Sequence, residues 1–134
     1  MLWTKRRVEP TEVLLSVVVV AHGMARELPR TLLSLSPAHQ RGMNGRDYEI
    51  IVVDSGSVPP ISSQLLRSHG LVGRIVTLTA PPFTLARAVN HGLAAATGAV
   101  IGVLFDGARL ASPGLLATAL SQIGTEGGRL VTPL

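Results

Sequence analysis

The sequence predicts an α/β protein built as three layers, a mainly parallel sheet with helices on both faces. Short aliphatic runs (SVVVV at 16–20, YEIIVV at 48–53, AVIGVLF at 99–105) are bounded by turn residues, as in strands covered on both faces. Between these runs apolar residues recur at helical spacing, and strands alternating with helices imply right-handed crossovers and a parallel sheet. Two of the three aspartates, Asp54 and Asp106, each close an apolar run, and ligands of open parallel sheets bind at the carboxyl ends of the strands.

Taken in order, residues 1–12 are polar and read as a loose lead-in. Residues 13–21 make the first predicted strand, which the turn Ala21-His22-Gly23 ends. Leu28, Thr31, Leu32 and Leu35 then keep helical spacing as far as Pro37, and a polar loop covers 36–46. Residues 48–53 form the second strand, closed by Asp54-Ser55-Gly56-Ser57. Pro59 and Pro60 suit a helix start, with Ile61, Leu65 and Leu66 as its apolar stripe before Gly70. A third, shorter strand spans 74–78, and Ala80-Pro81-Pro82 breaks the chain. Thr84 is placed to cap a helix carrying Leu85, Ala88, Val89, Leu93 and Ala96, which Thr97-Gly98 closes. The fourth strand, 99–105, leads to Asp106. A helix follows over about 112–122, then a loop at 124–128 and the beginning of another strand at 129–134.

Length and composition narrow the function. At 134 residues the chain reads as a single domain, long enough to bury about two thirds of the surface its unfolded form exposes. Its net charge of +4 rests on eleven Arg and one Lys, scattered except for Lys5, Arg6 and Arg7, and only four aromatics accompany them. Nucleic-acid binders cluster their cations and add stacking rings, so no nucleic-acid partner is expected. Scattered Arg favours an anionic small ligand such as a phosphate. The absence of cysteine excludes disulfides and thiolate metal sites. Lys5, Arg6 and Arg7 ahead of the apolar 13–21 resemble a secretory signal, but Glu9, Pro10 and Glu12 interrupt it, and no run is long enough to span a bilayer. A cytoplasmic chain without a membrane span is expected.

Common nucleotide motifs are absent: one glycine, Gly23, follows the first strand where a dinucleotide fold needs GxGxxG, and no GxxxxGK[ST] occurs. Three blocks in order, SVVVVAHGMARELPRTLLSL, DYEIIVVDSGS and ARAVNHGLAAATGAVIGVLFDGARLASPGLL, resemble the successive motif blocks of glycosyltransferase family 2. The resemblance implies the GT-A fold, of which this chain would be the Rossmann-like, nucleotide-sugar-binding half, apparently truncated after residue 134. It places Ala21, His22 and Gly23 beside the nucleotide base and gives Asp54, with Ser55, a hydrogen bond to the base. Arg87 and Asn90 would lie near base, ribose and diphosphate.

Asp106 matches the first Asp of the family's DxD element, which holds the ribose and a divalent cation, Mg2+ or Mn2+. Where the second carboxylate belongs this chain has Ala108, followed by Arg109. Arg109 is therefore expected to neutralise diphosphate charge in place of the metal ligand. The implied function is transfer of a sugar from a nucleoside diphosphate to an acceptor hydroxyl. The family's catalytic base lies beyond the DxD element, where this sequence carries only Glu126, so no catalytic residue is assigned. The alternative is an inactive nucleotide-binding or interaction domain. His22 is read as a candidate for stacking on the base, His39 and His69 as solvated, and His91 as a helix-surface residue. An unpaired sheet edge near 130–134 is expected to favour self-association.

Overall fold

A computed structural model of the chain describes residues 2–5, 13–105 and 110–123, and the elements below are those of these residues. Strands β1 (Leu2–Lys5), β2 (Leu15–Ala21), β3 (Tyr48–Asp54), β4 (Gly73–Thr77) and β5 (Val100–Phe105) form one sheet in the order β1-β5-β2-β3-β4. Strands β2 to β5 pair in parallel, and β1 lies antiparallel on β5. The helices are α1 (Leu28–Leu35), α2 (Gln64–Ser68), α3 (Leu85–Ala95) and α4 (Leu115–Gln122).

The layers follow from the period of two along each strand. Val17, Val19, Ile50, Val52 and Leu104 face one core with Leu28 and Leu32 of α1, Leu66 of α2 and Leu116 of α4. Val18, Val20, Ile51, Val53, Ile101 and Val103 face the other with Ala88 of α3. Every residue of β2 and β3 is buried, which is why their runs read as continuously apolar rather than alternating. Helix α3 reaches the sheet through Gly92, where a Cβ would collide with Val18 Cγ1 and crowd Val53 Cγ2.

Two expectations need correction. The lead-in is not all loose: residues 2–5 pair with 100–103 of β5, supplying partners for a strand edge that would otherwise be open. Helix α2 begins at Gln64 rather than at Pro59, because Asp54 captures the backbone N–H groups of Ser57 and Ile61 and holds that segment as a loop. The expected strand and self-association edge at 129–134 lie outside the described residues.

The amino ends of the parallel strands are tied by a group the sequence reading passed over. Glu49 of β3 is buried beneath α3. Its Oε1 accepts from Ser16 Oγ at 2.7 Å, Thr97 Oγ1 at 2.7 Å and Thr97 N–H at 2.9 Å, and its Oε2 accepts from Arg74 at 2.9 Å. Ser16 Oγ in turn accepts from Gly98 N–H at 2.8 Å, so one carboxylate links β2, β3, β4 and the approach to β5. Burial pushes the Glu49 carboxyl up, yet the bonds from Ser16, Thr97 and Arg74 outweigh it and hold the group below the ordinary value of 4.5. Arg74 is half exposed, so its ion pair is screened by solvent and most of the stabilisation comes from the bonds of Ser16 and Thr97.

A depressed folded-state pKa gives stability that is complete above the ordinary value and is lost as pH falls through the folded one. Glu49→Gln, which removes the charge and sets an amide against Arg74, is expected to cost about 2 kcal/mol at neutral pH. Urea denaturation in steps of decreasing pH should show the two proteins converging below pH 4.5; curves that stay parallel would contradict this role.

Candidate functional site

The strand order contains a reversal. From β2 the chain steps outward to β3 and β4, then returns to place β5 on the other side of β2. The connections through α1 and α2 lie on one face and the one through α3 on the other. The topology therefore reverses between β2 and β5, and in such sheets the ligand crevice opens at the carboxyl ends of those strands. Ala21 ends β2 opposite Asp54, and Phe105 ends β5 opposite Val20.

Five of the expected site residues meet at this edge. Asp54 is fully buried; its Oδ1 accepts from Ser57 N–H and its Oδ2 from Ile61 N–H, each at 2.9 Å. Its backbone carbonyl accepts from Leu78 N–H at 2.9 Å, and Ser55 N–H donates to the Ala21 carbonyl at 2.8 Å. Gly23 N–H donates to Ser57 Oγ at 3.0 Å. His22 Nδ1 bonds the Ser55 carbonyl; because a carbonyl only accepts, Nδ1 is the donor. Ala21, His22, Gly23, Asp54 and Ser55 are thus one hydrogen-bonded unit, with His22 and Gly23 exposed above a buried carboxylate.

Arg87 and Asn90 stand on α3, three residues apart and so neighbours on its surface. Thr84 caps the helix, its Oγ1 accepting from Arg87 N–H at 3.2 Å. The Arg87 guanidinium donates to the carbonyls of Ala80 and of Pro82, the latter at 3.1 Å, so it braces the loop before α3. Asn90 is exposed. Asp106, Ala108 and Arg109 lie outside the described residues. Among the described ones no three His, Cys, Asp or Glu side chains come together as a metal-binding group, and no helix is long and apolar enough to cross a membrane.

Sequence reasoning missed several residues that shape the edge. Ser57 bridges the loops after β2 and β3, and the Phe83 ring packs on Gly56. Buried Gln40 donates to the carbonyls of Ser34 at 2.8 Å and Ser112 at 3.0 Å and accepts from Leu116 N–H at 3.2 Å. His39, expected to be solvated, is half-buried and donates from Nε2 to the Ala111 carbonyl at 3.0 Å. His69, also read as solvated, is half-buried against the Leu65 carbonyl. Together Gln40 and His39 hang the segment from Ala111 to Leu116 on the end of α1. A polar residue in a polar loop gives no sequence signal that it folds inward.

Comparison with known proteins identifies the family and the fold. The family described as "Glycosyl transferase family 2" matches residues 16–123. Among solved structures, S. aureus TarS is similar with a TM-score of 0.65 at 19% identity, over 83% of this chain and 19% of that one. A TarS structure of residues 1–349 is similar with a TM-score of 0.59 at 21% identity, over 69% of this chain and 27% of that one. These likenesses show the fold, and the chain spans well under a third of either. No curated protein matches.

Asp54→Ala is expected to leave two loop N–H groups without their acceptor and to cost about 3 kcal/mol. Chemical denaturation measures the loss, and hydrogen exchange should show the Ser57 and Ile61 amides opening first. Unchanged stability with both amides still protected would contradict the clamp.

Proposed function

Because this chain belongs to glycosyltransferase family 2, we propose that the carboxyl edge of its sheet holds the nucleotide of a nucleoside diphosphate sugar and serves transfer of that sugar to an acceptor hydroxyl. The observation that carries this reading is the reversal of strand order at β2 and β5, with the exposed His22–Gly23 turn braced on the Asp54 clamp beside it. In this proposal Ala21, His22 and Gly23 border the base; the Asp54 carboxylate, buried and accepting from the Ser57 and Ile61 N–H groups rather than held open for the expected hydrogen bond to the base, fixes with Ser55 the loop that receives it. Arg87 and Asn90 lie toward the ribose and diphosphate, and Asp106 and Arg109 complete the site from the end of β5. A cytoplasmic setting, where nucleoside diphosphates are abundant, goes with this function.

In the transfer the acceptor oxygen bonds to the anomeric carbon as the bond from that carbon to the diphosphate oxygen breaks, and a general base takes the acceptor's proton. Within this sequence Glu126 is the only carboxylate after Asp106, so the chain is proposed as the donor-binding half of the reaction. One carboxylate fits Mg2+ or Mn2+ held largely by the substrate's own phosphates. Such a cation would offset charge on the departing diphosphate. The guanidinium of Arg109 is proposed to offer the same compensation from the protein. Ala108 in place of a second carboxylate favours a second reading, a domain that binds the nucleotide and transfers nothing.

Calorimetric titration of the chain with UDP, GDP and ADP, with and without Mn2+, tests the proposal. Saturable binding of at least one nucleotide is expected, and no binding under either condition would overturn the donor site. Tighter binding with Mn2+ supports the cation at Asp106, and equal binding supports compensation by Arg109. Binding without sugar transfer to any acceptor supports the second reading.

A further inference from the structure

The donor reading leaves the side chain of Phe83 unexplained. Phe83 is one of only four aromatics in the chain, yet it stands at the carboxyl edge with 42% of its surface exposed. Its orientation follows from Gly56, whose φ of +78° is itself a conformation that suits glycine. A Cβ built on Gly56 would lie 2.9 Å from Phe83 Cζ and 3.0 Å from each of Cε1 and Cε2. Near-equal distances to three adjacent ring atoms put that point over the face of the ring, since a point beyond its edge would be much closer to one of them. One face of Phe83 therefore lies against Gly56, and its exposed surface belongs to the other face and the rim.

The ring is also held in place. Arg87 fastens the carbonyls of Ala80 and Pro82 just before Phe83, and Thr84 just after it caps α3. Gly56 belongs to the loop that Asp54 clamps, and the next residue, Ser57, accepts from Gly23 N–H. A flat apolar face, fixed on both sides and joined through two residues to the His22–Gly23 turn, suits a planar ring better than a flexible chain.

We infer that the outer face of Phe83 is a stacking platform for the nucleobase of the donor and makes the base, rather than the phosphates alone, a source of affinity. This rests on the donor-site reading above. Every base has a π face, so the platform favours nucleotides over base-free phosphates without choosing one base. Gly56 has a matching role: any side chain there would push the ring off its seat.

The test compares Phe83→Leu, which keeps an apolar cover over Gly56 but lacks a π face, with Phe83→Trp, which keeps one. Each full chain is titrated with the nucleoside diphosphate the wild type binds best and with ribose 5-phosphate as a base-free probe. Phe83→Leu is expected to weaken nucleotide binding about tenfold or more and leave ribose 5-phosphate unchanged. Phe83→Trp should bind the nucleotide at least as well as wild type, with its added fluorescence quenched by nucleotide and not by ribose 5-phosphate. Wild-type affinity in Phe83→Leu, or equal losses for both probes, would overturn the platform while leaving the donor site standing. Failure of the wild type to bind any nucleotide would overturn both.

Discussion

Strand β3 is buried along its whole length, so its two carboxylates have to find their partners inside the protein. Glu49 and Asp54 are five residues apart, an odd separation that sends their side chains to opposite faces of the sheet. Glu49 collects the amino ends of the parallel strands beneath α3, and Asp54 collects the loop leading toward α2. A buried carboxylate left unpaired would cost several kcal/mol, so neither loop nor strand end can drift without losing much of the protein's stability. The candidate site stands on the second of these clamps.

This constraint ties architecture to function. The reversal of strand order puts the switch point of the sheet at β2 and β5, but a site between mobile loops would bind weakly, because ordering them on binding has an entropic cost. Here the turn after β2 and the loop after β3 are already joined through His22, Gly23, Ser55 and Ser57. Arg87 and Thr84 settle the loop before α3 in the same way. Gln40 and His39 fix the segment from Ala111 to Leu116 to the end of α1. Among the described residues, the loops of the edge where a nucleotide is proposed to bind are thus joined to one another before any ligand arrives.

Much of this was legible in the sequence. Runs such as SVVVV and YEIIVV announced strands because burial on both faces leaves no room for alternation, and Thr84 announced the start of α3 because its hydroxyl can satisfy a free N–H. Strand β1 was not legible: LWTK is held by the backbone edge of β5, and pairing of that kind leaves no mark on composition. The start of α2 was misread because Pro59 and Pro60 suit a first helical turn, whereas a side chain of β3, distant in local pattern, claims the N–H groups of the segment. Glu49 did carry a signal, a charge inside an otherwise apolar strand, which implies a buried partner. The seat of Phe83 on Gly56 had none, since contacts between loops depend on tertiary geometry.

The central proposal is that a nucleotide binds at the carboxyl edge of the sheet, across the ends of β2, β3 and β5, and not at the opposite edge. Amide chemical-shift mapping by NMR during nucleoside diphosphate titration tests it most directly. The account predicts shifts concentrated at residues 21–23 and 55–57 and across the start of α3, with Ser16, Glu49 and Thr97 at the opposite edge unmoved. Shifts centred on that opposite edge, or on the outer edge of β4, would contradict it.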